Sequence, residues 1–160
     1  KEIPGILESY EDWFKHWQFS SLKMNRTLFI CEWNVGRSQM AEAFFNRLCK
    51  NGQAYSAGTR AVKYENRKLS EFAQVVVSCM SEIGYNVADK TPKQLTPKIV
   101  QNADVIVSMI HQNELPKYVL SPSKEIIYWD IEDIHGKDNE CRIRVRDQIE
   151  RLIKNLAIKS

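Results

Sequence analysis

Residues 27 to 45 place the tightest constraint on how this chain can fold. They run Thr27, Leu28, Phe29, Ile30, Cys31, Glu32, Trp33, Asn34, Val35, Gly36, Arg37, Ser38, Gln39, Met40, Ala41, Glu42, Ala43, Phe44, Phe45. The apolar run Leu28 to Ile30 reads as a buried strand ending at Cys31. Polar and small residues follow, and helix formers begin near Arg37 and Ser38. A strand, a short loop and a helix N-terminus together make an anion site, because the loop and first-turn N–H groups lack intrahelical partners and converge on one spot. Arg37, at the end of the loop, adds a planar fork that can donate two hydrogen bonds to one oxyanion. Cys31, at its start, is favoured as a thiolate by the cation and the helix N-terminus. The plainer reading is an inert thiol at a strand end, since free cysteine often serves as a small core residue. Cysteine, five residues, arginine, then serine or threonine arises by chance in roughly 2% of chains of this composition. With a strand just before and a helix just after, we read the stretch as an activated nucleophile facing a bound oxyanion.

The rest of the chain supplies the scaffold. Ser38 to Cys49 has a buried stripe of Met40, Ala41, Phe44, Phe45 and Leu48, and Asn51 and Gly52 end that helix. A short strand spans Gln53 to Ala57, with Gly58 read as a turn glycine. Residues 60 to 67 read as a loop. The helical period returns from Leu69 to Ile83, through Phe72, Val75 or Val76, and Cys79 or Met80, and Gly84 stops it. Tyr85 to Leu95 is extended, and Thr96 with Pro97 starts a short helix as cap and first residue. Val105 to Met109 is an apolar strand of the parallel-sheet type. Ile126 to Trp129 is the last strand, an acidic loop covers Asp130 to Lys137, and a helix runs from about Asn139 to Ala157. Its arginines 142, 144, 146 and 151 read as a solvated face, and Cys49, Cys79 and Cys141 read as core. Strands alternating with helices predict an α/β domain with a parallel sheet, whose ligands bind beyond the carboxyl ends of the strands. Cys31, Asp130 and Asp133 all fall at that edge.

Residues 1 to 24 precede the domain spanning 25 to 160. Leu7, Tyr10, Phe14 and Trp17 recur at helical spacing opposite Glu8, Glu11, Asp12 and Lys15, an amphipathic helix. One reading packs it on its own domain. The sharper one makes it a homodimer or docking helix.

Charge and cysteine usage narrow the function. The chain has 160 residues and a net charge of +3, too small and scattered to imply nucleic acid or a membrane surface. No apolar run approaches the ~20 residues that cross a bilayer, and no signal-peptide pattern is present. The four cysteines form no Cys-x-x-Cys pair, so neither a zinc site nor a disulfide framework is expected, and the three histidines form no ligand cluster. Reduced thiols in the cytoplasm, with no metal and no cofactor, fit best.

Residues 28 to 45 resemble the signature of the low-molecular-weight protein tyrosine phosphatase and arsenate reductase family. Four later stretches resemble it in order: Tyr55 to Thr59, Lys93 to Pro97, Ala103 to Met109, and Trp129 to Asp133. The similarity covers about residues 25 to 158. It implies a flavodoxin-like, three-layer α/β/α domain with a four-stranded parallel sheet.

The chemistry can be written from the residues and this resemblance together. A thiolate attacking phosphorus must expel an alkoxide or phenoxide, so a carboxylic acid is needed within reach. By sequence alone Asp130, Glu132 or Asp133 could serve. The resemblance favours Asp133, which matches the family's general acid, with Asp130 second. Ile134 stands where the family has proline, so the loop is less rigidly preset. Glu32, Trp33, Asn34, Val35, Gly36 and Arg37 would hold the phosphoryl oxygens, Cys31 would form a phosphocysteine, and Ser38 would stabilise its sulfur. Asn34 matches a residue that props the loop in an unusual backbone conformation. The expected substrate is a phosphorylated protein, a tyrosine phosphoester first of all, or a small phosphomonoester.

The rival is reduction of arsenate, an inorganic oxyanion that the same cysteine would attack, with electrons from a further thiol. The resemblance places two shuttle cysteines of thioredoxin-linked reductases just after the strand matching Val105 to Met109. This chain has none from 80 to 140, so only an external thiol would serve. The loop also lacks the second cysteine that guards many family phosphatases. A module that only binds phospho-residues is a third, weaker reading. Ile134, His135 and Gly136 thin the aromatic wall that the family's tyrosine phosphatases place after the acid. Trp33 either replaces that wall or packs on the N-terminal helix.

Overall fold

The computed structural model describes residues 26–159, except 51 and 122. The amphipathic segment over 1 to 24 lies outside the described residues. Four strands, β1 (Arg26–Cys31), β2 (Gln53–Gly58), β3 (Val105–Ser108) and β4 (Glu125–Tyr128), form one parallel sheet in the order β2-β1-β3-β4. The chain leaves β1 for a neighbour on one side and later returns on the other. That reversal opens a crevice at the carboxyl end of β1, where Cys31 lies. The flavodoxin-like α/β expectation holds.

Alternation along β1 builds two cores, because successive side chains of a strand point to opposite faces. Phe29 and Cys31 face α1 (Arg37–Leu48), α3 (Gln74–Ser81) and α5 (Asn139–Lys159), where Met40, Phe44, Phe45, Met80, Val145 and Ile149 fill the layer. Leu28 and Ile30 face the other way, toward Ala57, Leu95, Leu115 and Val100 of α4 (Pro97–Gln101). Full burial of each large apolar side chain contributes about 1.5–3 kcal/mol, so the central strand anchors both layers. Thr96 caps α4 as expected, accepting from the Ile99 N–H at 3.2 Å, with Pro97 as the first helical residue.

Three local expectations change. The stretch 60–67 contains a 3-10 turn, Ala61–Tyr64, tied down by the buried Ala61 and by the Val62 N–H donating to Gln94. The single helix expected over 69–83 is two. The first, α2 (Leu69–Phe72), ends at Ala73, whose φ of −127° and ψ of 44° are not helical, and α3 restarts from the Ala73 carbonyl. The Lys90 and Ala88 carbonyls hold the start of α2, which sets its direction separately from α3. Val76 is the buried member of the valine pair, and Val75 is exposed.

Arg146 is the third. Expected on a solvated face, it is only 7% exposed, donating to the Cys79 carbonyl at 2.8 Å and pairing with Glu82 at 3.2 Å and Asp147 at 2.9 Å. The arginine stem covers apolar surface between α3 and α5 while its head is satisfied, which periodicity cannot signal. Arg146→Ala is expected to lower stability by about 2 kcal/mol, mostly from the orphaned carbonyl and lost packing. That is a fall of roughly 4–8 °C in Tm for a chain of this size. Thermal unfolding followed by circular dichroism checks it, and an unchanged Tm would make the contact incidental.

Candidate active site

The loop from Glu32 to Gly36 turns back over the end of β2, and Gly58 makes that possible. Gly58 lies in register with Cys31 on the neighbouring strand. A Cβ there would sit 2.6 Å from the Glu32 carbonyl oxygen, 2.7 Å from the Asn34 nitrogen and 2.9 Å from the Trp33 carbonyl carbon. The glycine expected for a turn is present for close approach of backbone instead.

Asn34 holds the loop open. Its φ is +54°, a left-handed conformation that asparagine tolerates, as the sequence anticipated. Its side chain is fully buried, and all four of its hydrogen-bonding positions are used. Nδ2 donates to Ser38 Oγ at 2.7 Å and to Ser56 Oγ at 2.9 Å. Oδ1 accepts from the Lys93 N–H at 2.8 Å and from Gln39 at 3.2 Å. Ser56 passes the network on to the buried Glu42 at 2.9 Å, whose charge is met by Lys90 at 3.0 Å and Lys93 at 3.9 Å. Burial pulls the Lys93 ammonium below the usual lysine range even beside that carboxylate. Ser56 and Glu42 carried no signal as site residues in the sequence, since their link to Cys31 exists only through Asn34.

The Cys31 sulfur receives what this network organises. Ser38 Oγ lies 2.9 Å from Sγ, and the Asn34 N–H donates to Sγ at 3.3 Å. Against a thiolate, which carries no proton, the Ser38 hydroxyl must be the donor, so two donors meet the sulfur. Arg37 is as constrained. It is 6% exposed, and its Nη1 donates to the Met109 carbonyl at 2.8 Å and the Ile131 carbonyl at 3.0 Å, beyond the ends of β3 and β4. Its Nη2 lies 3.6 Å from Asp133 Oδ1. Fixing one edge of the fork on two carbonyls costs little mobility later and leaves the other edge beside the acid. Ile134, in the family's proline position, is buried and packs on Gly36, where an added Cβ would come 2.5 Å from its Cδ1.

Cys31, Trp33, Val35, Gly36, Arg37 and Asp133 line one cavity of about 280 Å³. Asp130 lies instead on a neighbouring depression beside His111 and Tyr128, and so does Glu132. Of the three acidic candidates, Asp133 alone shares the cavity with Cys31. The aromatic wall thinned at Ile134 to Gly136 is made up from the other side. Tyr64 stacks on Phe72 with centroids 4.9 Å apart and planes 5° apart, and Trp33 meets Tyr64 edge-on and His135 obliquely, each at 5.9 Å. Tyr64 was missed because it sits in a polar stretch, and Phe72 because the helical period assigns it to the core. Trp33 thus lines the cavity; its other reading, packing on the N-terminal helix, lies outside the described residues.

Residues 26–160 match the family model described as low molecular weight phosphotyrosine protein phosphatase. The chain belongs to that family. It is similar to arsenate reductase 2 of Staphylococcus epidermidis, 27% identical over 128 residues that cover 79% of this chain and 92% of the relative. It is 29% identical to the glutaredoxin arsenate reductase of Synechocystis, covering 85% of this chain and 98% of that one. Among solved structures, the low molecular weight protein tyrosine phosphatase from T. tengcongensis superposes with a TM-score of 0.74 at 27% identity, over 85% of this chain and 99% of that one. This is an enzyme family with both phosphatases and arsenate reductases among its members.

The remaining thiols stand apart from the cavity. Cys49, Cys79 and Cys141 are unpaired and buried in the core, and burial pushes all three thiols above the usual cysteine range. No disulfide and no cluster of metal-ligating side chains occurs among the described residues. No helix among them is long and apolar enough to cross a membrane.

Proposed function

We propose that the protein is a phosphomonoester hydrolase, a protein tyrosine phosphatase, working through a phosphocysteine on Cys31. The observation that carries this reading is the single cavity that joins a doubly hydrogen-bonded Cys31 sulfur, the Arg37–Asp133 pair and walls of Trp33, Tyr64 and Phe72. In the first step the Cys31 thiolate attacks phosphorus in line. The P–S bond forms as the P–O bond to the phenol breaks, and Asp133 gives its proton to the leaving oxygen. Loop N–H groups and Arg37 meet the charge on the equatorial oxygens. In the second step Asp133 takes a proton from water, which displaces the sulfur and releases phosphate. The Ser38 and Asn34 hydrogen bonds favour the sulfur both as nucleophile and as leaving group. A flat ring between aromatic walls suits a phenyl ester.

The names of the relatives favour one second reading, reduction of arsenate with an external thiol. Cys31 would attack arsenic, forming the S–As bond as one As–O bond breaks and its hydroxyl leaves as water with a proton arsenate itself carries. The external thiol would then attack the Cys31 sulfur, releasing arsenite and leaving a mixed disulfide for a second thiol to reduce. Cys31 is the single cysteine among the residues lining the cavity, which favours hydrolysis over an internal shuttle. The two readings separate on Asp133. Asp133→Asn is expected to lower kcat for phosphotyrosine peptides about 10²-fold, at the low end for general acid catalysis. Thiol-dependent arsenate reduction has no phenoxide to protonate and loses far less. Steady-state assays of wild type and Asp133→Asn with a phosphotyrosine peptide, and with arsenate plus glutathione, decide between them. Arsenate reduction without peptide hydrolysis would overturn the phosphatase reading.

A further inference from the structure

The rim of the cavity carries more positive charge than a phosphate ester alone requires. Arg142 and Lys137 line the side of the cavity formed by the 133–137 loop and the start of α5. Neither has a carboxylate within ion-pair distance among the described residues, although Arg144 and Arg146 nearby are both paired. Arg142 is tethered at one end, where Nη1 donates to the Lys137 carbonyl, and its Nε is buried with no acceptor. A guanidinium tethered at one end, lining a cavity and lacking a carboxylate partner, is placed to receive an anion. Outside the cavity lining, Lys63 lies 5.4 Å from the centroid of Tyr64 and Arg67 lies 4.7 Å from that of Phe72, again without acidic partners among the described residues. Three carboxylates nearby are committed elsewhere. Glu32 pairs with Arg60, Glu132 with Arg144, and Glu65 accepts from the Gln94 N–H. Asp133 is the one carboxylate lining the cavity, and it faces Arg37.

We propose that the cavity selects phosphotyrosine with an acidic side chain next to it, received by Arg142 and Lys137, with Lys63 and Arg67 adding positive charge nearby. This rests on the phosphatase reading. The phosphoryl group occupies the loop and Arg37, the ring lies between Trp33, Tyr64 and Phe72, and a flanking glutamate or aspartate reaches the Arg142 side. Two partly exposed charge pairs, together with attraction of the whole acidic peptide to the rim, give a modest and salt-sensitive preference.

The test compares kcat/KM of the full-length protein on three phosphotyrosine peptides that differ only in the residues flanking the phosphotyrosine: glutamate, alanine or lysine. The glutamate peptide is expected to exceed the lysine peptide about tenfold at ~0.05 M salt, with the ratio closing toward one near 1 M. In Arg142→Gln and Lys137→Gln the low-salt ratio is expected to fall severalfold. Lys137 is exposed, so its variant answers the question even if Arg142→Gln folds poorly. A wild type that turns over all three peptides equally at low salt overturns the proposal, as does an unchanged ratio in both variants. Failure of the wild type to hydrolyse any of the three is a different result: it overturns the phosphatase reading and this proposal with it.

Discussion

Cys31→Ser is expected to abolish turnover of para-nitrophenyl phosphate and of phosphotyrosine peptides, a loss on the order of 10⁴-fold or more. The substitution changes one atom in a buried position that already makes two hydrogen bonds, so the fold should be kept. What is lost is the sulfur nucleophile that the proposed mechanism uses. A serine hydroxyl stays protonated at neutral pH and is a far weaker nucleophile than a thiolate. The donors from Ser38 and Asn34 stabilise a negative sulfur, and against a neutral hydroxyl the same arrangement has no anion to favour. Arg37 and the loop N–H groups are untouched, so inorganic phosphate should still bind and raise Tm. Steady-state kinetics with either substrate, alongside a thermal shift with phosphate, checks both halves. Undiminished turnover in Cys31→Ser would remove the covalent mechanism altogether, for phosphate and arsenate alike.

Gly58→Ala should have the second largest effect, and through backbone alone. The added carbon would meet three backbone atoms of the Glu32 to Asn34 turn at 2.6–2.9 Å, and none of them belongs to a side chain that could rotate away. Either β2 or the loop must move. Movement of either partner disturbs the loop, because Asn34 is hydrogen-bonded to Ser56 of β2 as well as to Ser38. A displacement approaching 1 Å there shifts the N–H donors off the oxyanion and costs about 10²-fold in kcat/KM. Strain of this kind lowers stability by about 1–3 kcal/mol. Activity should therefore fall further than the stability loss can explain. Measuring kcat/KM well below the variant's own Tm separates the two effects, and full activity there would show that the loop can accommodate the methyl group.

Much of this site was legible because its parts are contiguous. Cys31, Arg37 and Ser38 are brought together by one strand, one loop and one helix start, and a local pattern of apolar run, small residues and helix formers is enough to predict that geometry. The sheet was legible for a similar reason, since buried parallel strands such as Val105 to Ser108 are apolar throughout. Asp133 was reached through the resemblance, because sequence gave three neighbouring carboxylates equal standing. The structure separates them by position: Asp133 lies 3.6 Å from Arg37 and lines the cavity with Cys31, whereas Asp130 and Glu132 do not line it.

The residues that escaped the sequence are those whose neighbours are distant along the chain. Ser56 and Glu42 join the nucleophile's network through Asn34, which links two strands and a helix. Tyr64 and Phe72 stack where the 61–64 turn meets the end of α2, whose start is held by hydrogen bonds from Leu69 and Ser70 to the Lys90 and Ala88 carbonyls rather than by local composition. Arg146 looks like any surface arginine until α3 and α5 pack around it. The stretch from Thr27 to Phe45 by itself determined that Cys31, Arg37 and the turn between them come together, since short-range backbone geometry generates all three. Which carboxylate shares their cavity, what walls surround them and why Gly58 must lack a side chain were decided only by the tertiary structure, because each depends on surfaces that meet when the sheet closes.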